Sequence, residues 1–488
     1  MERTCEGAPQ HLHSLDHCVE FFSKAGSIYD TPKRKTFYEN SEDILDLFVD
    51  AWVHDKETTF KLLLWVRDAR GGSGNRSGFR KCLKWLAVND TKWVLNNIEW
   101  IPEVGRWDDL RTLFGTPCQD IAVALWFKAI LLDKNSLAAK WAKRTDIPLY
   151  LEFKRYSHGK VNMGNFRRFL AGNRNVVETK MCKREWNGIE YSNVPSVAMA
   201  RYTNAFNKHD EDGMLKFKGD LESGETTINA SVLFPHDCVR TSLNGDTVIA
   251  DAQFDALPNY METDENIIVL CDTSGSMETN IGGSVEAVHV STGLALYCSG
   301  KMPKESPFHK KFIQFESESK YSDWNGMSFS QALQSGSIFN GAVASTRIDK
   351  ALDLILSTAN MFKVSDDNMP KMLLICSDMQ FTDATREGYY GYHDNNKDTK
   401  ETLTEVEISL QKWDDAGYSR PKVVYWNLVP YGGQPDTVNS KDIALVSGFS
   451  PSILKSILEC GDFSPRAVML KALEKYENVV SPEQKDET

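Results

Sequence analysis

The sequence predicts a multidomain chain: an N-terminal all-α solenoid of HEAT-like helix pairs, followed by a C-terminal α/β domain with a mostly parallel, Rossmann-like sheet. Three observations carry this. From residue 41, short helical runs follow one another with short connections, as in stacked helix pairs. From residue 263, strand-like apolar runs alternate with helical periodicity, the pattern of a parallel sheet covered by helices on both faces. Between them, residues 241–262 form a polar, turn-rich boundary that ends in Leu257-Pro-Asn-Tyr260.

The elements follow in order. Residues 1–40 are mixed and polar, with Pro9 and Pro32, and are expected to form an arm. The helical domain is expected over 41–245. It opens at Ser41-Glu-Asp, an N-cap with early acids, after which Ile44, Leu45, Leu47, Phe48, Ala51 and Trp52 fall at helical spacing. Further helices are predicted at 58–67, 78–88, 92–98, 107–114, 120–132 and 136–143. Gly71-Gly72, Gly105 and Gly115-Thr-Pro117 mark turns between them. No clean repeat period is present. A linker is expected at 246–262, the α/β domain at 263–475 and a frayed, charged tail at 476–488. In the α/β domain, strands are predicted at 266–272, 311–315, 371–377, 422–428 and 442–446, and helices at 285–300, 348–361, 401–413 and 451–459.

With 488 residues, 41% hydrophobic and 11% aromatic, the chain has material for several well-filled cores. No run approaches the length of a membrane span, and the N-terminus Met-Glu-Arg-Thr-Cys-Glu lacks the apolar stretch of a secretory signal. The ten cysteines are scattered, with no Cys-x-x-Cys pair, and read as reduced thiols of a cytoplasmic protein, not as a disulfide framework or a zinc site.

The net charge of −12 conceals a sharp asymmetry. Residues 51–200 carry +10 (25 Lys and Arg against 15 Asp and Glu), while 1–50 carry −5 (5 against 10) and 263–488 carry −11 (21 against 32). A basic middle segment between acidic ends can hold an anionic ligand on one face. Trp65, Trp85, Trp93, Trp107, Trp126, Trp141, Tyr150 and Tyr156 lie in the same band and could fill the core or stack on bases.

Residues 266–277, Asn-Ile-Ile-Val-Leu-Cys-Asp-Thr-Ser-Gly-Ser-Met, run a buried strand into an Asp-x-Ser-x-Ser turn. The Asp272 carboxylate and the Ser274 and Ser276 hydroxyls thus sit at the carboxyl end of a strand, where open α/β sheets bind ligands. All are hard oxygen donors, suited to Mg²⁺ or a similar cation that keeps water and an open position. The turn resembles the metal-ion-dependent adhesion site of von Willebrand factor A domains. That resemblance implies two more ligands: Thr346 (or Ser345) in Ala344-Ser-Thr-Arg-Ile-Asp-Lys-Ala-Leu352, and Asp378 at the end of Leu373-Leu-Ile-Cys-Ser-Asp. An ion so held stays under-neutralised and attracts an acidic side chain of a partner protein, or a phosphate. A hydrolase would need a second metal or a base, for which Asp383 and Glu316 are near in sequence but not singled out, so a non-enzymatic grip is expected.

The second informative stretch is Val66-Arg-Asp-Ala-Arg-Gly-Gly-Ser-Gly-Asn-Arg-Ser-Gly-Phe-Arg-Lys81. It is not a nucleotide loop, because no Gly-Lys-Ser/Thr follows and the preceding segment is helical. It reads as a turn between helices that projects Arg67, Arg70, Arg76, Arg80 and Lys81 toward phosphates. Together with Ile101-Pro-Glu-Val-Gly-Arg-Trp-Asp-Asp-Leu110, Ala138-Ala-Lys-Trp-Ala-Lys-Arg144, Lys180-Met-Cys-Lys-Arg-Glu-Trp186 and Pro195-Ser-Val-Ala-Met-Ala-Arg-Tyr202, it resembles the Ro (TROVE) ring proteins. The likeness is greatest to their uncharacterised cousins in plants, large viruses and phages. It implies a ring of HEAT-like repeats closed by a von Willebrand A domain, in a ribonucleoprotein that binds non-coding or single-stranded RNA. Candidate phosphate contacts are the five cations of the turn with Lys140, Lys143, Arg144, Arg167, Arg168, Lys183 and Arg184; Lys154, Arg155 and Arg174 lie in the same band. The alternative is a metal-dependent protein–protein scaffold that binds no RNA.

Overall fold

A computed structural model describes residues 2–3, 9–10, 16–28, 43–282, 285–335, 346–381, 405–429, 442–461 and 463–485. The chain forms two compact units, one of Met1–His54 with Leu233–Glu474 and one of Asp55–Val232 with Lys475–Thr488.

The first unit is built on six strands: β1 (Ile267–Asp272), β2 (Lys311–Phe315), β3 (Ser319–Asp323), β4 (Met372–Ser377), β5 (Lys422–Asn427) and β6 (Ile443–Ser447). Their order is β6-β5-β4-β1-β2-β3, and every neighbouring pair is parallel except the antiparallel β2–β3 edge. All six residues of β1 and of β4 are buried, as their unbroken apolar runs require of strands covered on both faces. Helices Ala287–Lys301, Ile348–Phe362, Glu405–Asp415 and Ile453–Leu458 fall within a few residues of expectation. Ile268, Leu270, Leu373, Ile375, Val423 and Tyr425 pack against Leu352, Ile355, Leu410 and Trp413 on one face. Strand β3 was not predicted: Ser-Lys-Tyr-Ser-Asp is a polar edge with no apolar run to reveal it.

Segments outside the predicted α/β boundaries also belong to this unit. The expected arm contains helix His17–Ala25, capped by Asp16, with Phe21 and Phe22 fully buried. Ser447 Oγ donates to Phe22 O at 3.1 Å and accepts from Gly26 N–H at 2.9 Å, which ties the helix to β6. Gly26 is needed there, since a Cβ would lie 2.5 Å from Ser447 O. Ser41 lies outside the described residues; Asp43 caps the next helix by accepting from Leu45 N–H at 2.9 Å. The expected linker carries helix Thr247–Asp255, whose Phe254 stacks on Phe329 with centroids 4.1 Å apart. Leu257-Pro-Asn-Tyr260 is pinned by Tyr297, whose hydroxyl donates to Pro258 O at 2.6 Å and accepts from Tyr260 N–H at 3.0 Å.

The second unit is helical. Helices Lys56–Arg67, Arg76–Asn89, Thr91–Asn96, Gln119–Leu131 and Ser136–Trp141 match the sequence reading, while Trp107–Leu113 is a 3₁₀ segment. Residues 68–75 fold back on the helix before them: Ser73 N–H donates to Trp65 O at 3.1 Å and Asn75 N–H to Val66 O at 2.7 Å. Asn75 then caps the following helix. The expected tail is anchored in this unit by Tyr476, buried and donating its hydroxyl to Asp68 Oδ2 at 3.0 Å. Among the described residues, no helix is long and apolar enough to cross a membrane.

A Cβ at Gly72 would lie 1.9 Å from Trp65 O, whereas one at Gly172 would meet nothing within 4 Å. Gly72→Ala is therefore expected to destabilise the helical unit by about 2–3 kcal/mol. Gly172→Ala should change stability by less than about 0.5 kcal/mol. Urea unfolding of the full chain followed by tryptophan fluorescence checks both.

Candidate metal centre

The register of β1 with its neighbours assembles the site. Leu270, Cys271 and Asp272 lie opposite Ile313, Gln314 and Phe315 of β2, and Cys271 lies opposite Cys376 of β4. Asp272 and Asp378 thus emerge from adjacent strands at the same carboxyl end, both fully buried. Two backbone bonds hold the remaining loops there. Thr273 N–H donates to Phe315 O at 3.2 Å, and Arg347 N–H donates to Glu316 O at 2.9 Å, which places fully buried Thr346 beside the end of β2. The structure therefore gathers Asp272, Ser274, Ser276, Thr346 and Asp378 at one end of the sheet. Ser345 and Asp383 lie outside the described residues.

Within the cluster, Ser274 N–H donates to Asp272 Oδ1 at 2.9 Å, closing the turn on its own carboxylate. Ser377 Oγ donates to Asp272 Oδ2 at 2.5 Å and accepts from Met379 N–H at 3.0 Å. Ser377 was missed from the sequence; the signal was a lone hydroxyl closing an otherwise apolar strand immediately before the aspartate. Asp378 Oδ1 accepts from Gln380 N–H at 3.1 Å, while its buried Oδ2 has no hydrogen-bond partner among the described residues.

Burial pushes the Asp272 carboxyl well above the ordinary range, and the neighbouring Asp378 carboxylate pushes it further. Burial likewise raises Asp378, partly offset by the Ser276 hydroxyl beside it. Two buried like charges are costly unless a cation or a proton answers them. The donor set fits a hard divalent cation. It offers carboxylates and hydroxyls alone, one buried carboxylate oxygen is unsatisfied, and Ser274 Oγ and Ser276 Oγ lie 3.1 Å apart. Neighbouring ligands in a Mg²⁺ octahedron are about 3 Å apart. No group of three or more His, Cys, Asp or Glu that could hold a metal converges among the described residues. The cluster here has two carboxylates.

The predicted basic residues divide in two. Arg67 and Arg80, expected to project from the glycine turn, instead point inward. Fully buried Asp109 accepts from Arg67 Nε at 2.7 Å, Arg80 Nε at 2.6 Å and Arg106 N–H at 2.9 Å. Burial alone would raise the neighbouring Asp108, but hydrogen bonds and charge from Arg80 and Arg106 outweigh it and hold that carboxyl below its usual value. The Arg-Asp-x-Arg-Gly-Gly and Gly-Arg-Trp-Asp-Asp motifs are thus two halves of one structural ion cluster. Lys140 pairs with Glu178 at 2.7 Å, Arg155 with Glu152 in its own helix, and Arg174 donates to Ala139 O and Ala142 O.

Arg70, Arg76, Lys143, Arg144, Lys154, Arg167, Arg168, Lys183 and Arg184 are exposed, with no ion pair among the described residues; Lys81 is half-buried. The Arg174 and Lys140 bonds bring 139–142 alongside 174–178, and the Lys143-Arg144 and Lys183-Arg184 pairs follow these two segments in sequence. Of the aromatics, Trp65, Trp93 and Trp126 are buried, Trp141 lies under Arg106 at 4.0 Å, and Tyr156 is 58% exposed.

Residues 4–114 and 129–267, about half of the chain, match the profile of DUF2828, a domain of unknown function. The chain belongs to the DUF2828 family. Residues 266–488 match a second domain of unknown function, DUF7788, so all five oxygen ligands of the candidate centre fall in that second match. The Asp109 ion cluster and the basic residues fall within DUF2828. The chain is also 25% identical over 519 residues to the uncharacterized protein L728 of Acanthamoeba polyphaga mimivirus, covering 94% of this chain and 85% of that one.

Asp109→Ala leaves Arg67 buried without its counter-charge and is expected to cost about 3–5 kcal/mol. Arg76→Ala, at an exposed residue with no ion pair among the described residues, should cost less than about 0.5 kcal/mol. Denaturant melts of the two variants, compared with the parent, check the contrast.

Proposed function

We propose that this chain is a non-catalytic RNA-binding protein, resembling the Ro ring proteins, whose α/β unit also holds a hard divalent cation. The observation that carries the RNA reading is the set of exposed cations of the helical unit. Lys143, Arg144, Arg167, Arg168, Lys183 and Arg184 lie within 42 residues of sequence, are exposed to solvent and are not engaged by neighbouring acids among the described residues. Such side chains attract a phosphate backbone without reading its sequence. Exposed Tyr156 in the same unit offers a ring on which a base can stack. The acidic residues 263–488 belong largely to the other unit.

Filter binding of generic single-stranded RNA tests this. If about six phosphates are neutralised, affinity should fall with a log–log salt slope near −4, about 300-fold between 50 and 200 mM salt. Reversing charge at Lys143, Arg144, Arg167 and Arg168 should abolish retention. No retention by the parent protein at low salt would refute the reading.

The cation reading rests on the buried Asp272 and Asp378 pair. Asp272, Asp378, Ser274, Ser276 and Thr346 would hold the ion, which supplies a Lewis-acidic position able to accept an acidic side chain of a partner protein. Mg²⁺ at 100 times its dissociation constant should stabilise the α/β unit by about 2.7 kcal/mol in thermal melts. Asp378→Asn should erase that gain and melt no lower than the parent in EDTA, because one of two buried like charges is gone. A variant that still gains stability from Mg²⁺ would sink the assignment.

The same carboxylate pair favours a second reading, a metal-dependent protein scaffold. Asp272→Ala separates the two: intact RNA retention supports the first, and loss of a co-purifying protein with no RNA retention in the parent supports the second.

A further inference from the structure

Strand β3 closes one side of the six-stranded sheet, and its outer edge is open. Two bonds bracket it: Glu316 N–H donates to Glu318 O at 3.1 Å, and Trp324 N–H donates to Lys310 O at 3.0 Å. They fix the alternation. Lys320 and Ser322 turn their N–H and C=O toward β2, so Ser319, Tyr321 and Asp323 turn theirs outward. None of these outward backbone groups has a hydrogen-bond partner among the described residues. Most protections of an edge are missing too: the strand has no proline and no bulge, and a single lysine.

An apolar strip runs beside this edge. Tyr321 lies opposite Ile313, which belongs to the core beneath helix Ile348–Phe362. The helix is held along the strand at two points. Lys350 pairs with Glu318 at 2.6 Å, and the Thr358 hydroxyl lies beside that of Tyr321. Leu354, Met361 and Phe362 stand three or four residues from Thr358 and share its side of the helix. Met361 is 76% exposed, Phe362 71% and Tyr321 42%. Large apolar side chains gathered in this way mark an interaction surface.

Backbone groups that face outward at alternate residues call for an extended chain running alongside. The side chains of the edge select which chain. Paired antiparallel with itself about Tyr321, the edge sets Ser319 against Asp323, Lys320 against Ser322 and Tyr321 against Tyr321. Each charged residue meets a serine, and no like charges are opposed. One lysine and one aspartate cancel, so neither a basic nor an acidic strand gains by its net charge. The two tyrosines meet on the face that carries helix Ile348–Phe362, which turns the apolar strips of both copies toward each other. We propose that the β3 edge is a homodimer surface. Two copies of this chain join their sheets antiparallel about Tyr321, and Met361 and Phe362 of each are covered by the other.

Sedimentation equilibrium of the full chain tests this. A monomer of 55.2 kDa in reversible exchange with a dimer is expected, with a dissociation constant of about 1–100 µM. Tyr321→Pro removes an outward N–H and no bond to β2, as proline is tolerated on the open side of an edge strand. Phe362→Glu places a charge at an exposed residue. Each should weaken dimerisation at least tenfold and leave far-UV circular dichroism unchanged; should Tyr321→Pro fail to fold, Phe362→Glu decides. Tyr321→Cys tests the register. Opposed Cα atoms of a hydrogen-bonded pair lie about 5.5 Å apart, within disulfide reach, so mild oxidation should give a reducible dimer that the parent does not form. Three outcomes would overturn the proposal. One is a parent that stays monomeric at about 100 µM, even if a strand of another protein protects the β3 amides from exchange. The others are a dimer that Phe362→Glu leaves intact and a Tyr321→Cys protein that crosslinks no more than the parent.

Discussion

The parallel pairing of β1 between β2 and β4 is the constraint on which the α/β unit depends. Parallel strands present all their carboxyl ends on one edge, so whatever residue follows each strand meets its counterparts there. With Cys271 opposite Cys376, Asp272 and Asp378 must emerge side by side. A one-residue slip of either strand would reverse its side chains between the two faces and separate the carboxylates. The cost of burying them together is a local property of the sheet end, and the rest of the unit holds it in place. Ser377 satisfies one carboxylate from below, and the backbone bonds of Thr273 and Arg347 fasten the loops. Continuous burial of β1 and β4 prevents relaxation.

The helical unit solves a different problem with similar chemistry. Its surplus of positive charge could have been left on the surface, yet part of it is drawn inside. Asp109 accepts from three donors belonging to Arg67, Arg80 and Arg106, and Asp68 organises the glycine turn by accepting from Arg70 N–H and Gly71 N–H. Buried ion clusters of this kind fix geometry more than they add stability, since desolvation offsets most of the attraction. Their value lies in register: the turn, the 3₁₀ segment and the following helix can be joined in one way. Charge that is paired in this way is already answered by Asp108 and Asp109, and the exposed cations with no ion pair among the described residues are a different set.

That division explains what the sequence could and could not reveal. Helix and strand positions were legible because 3.6-residue and unbroken apolar patterns survive in a single sequence. The sheet-end oxygens were legible because strand ends announce themselves by an apolar run breaking into Asp and Ser. Strand β3 was illegible because an exposed edge has no apolar signature. Arg67 and Arg80 were misread because a charged residue next to glycines looks the same whether it faces solvent or an aspartate 42 or 29 positions away. Helix His17–Ala25 and helix Thr247–Asp255 were read as arm and linker because their faces are short, and their partners, Ser447 and Phe329, are remote in sequence.

Helix Ala287–Lys301 ties the sheet end to the rest of the α/β unit. Within it, Ser291 Oγ donates to Cys376 O at 3.1 Å and lies 3.2 Å from Cys271 Sγ. Cys271 and Cys376 are the residues immediately before Asp272 and Ser377. The helix is thus fastened within two residues of both carboxylates, and a substitution that displaces it acts on the spacing of the pair. Close-packed interiors transmit such displacements because they cannot compress.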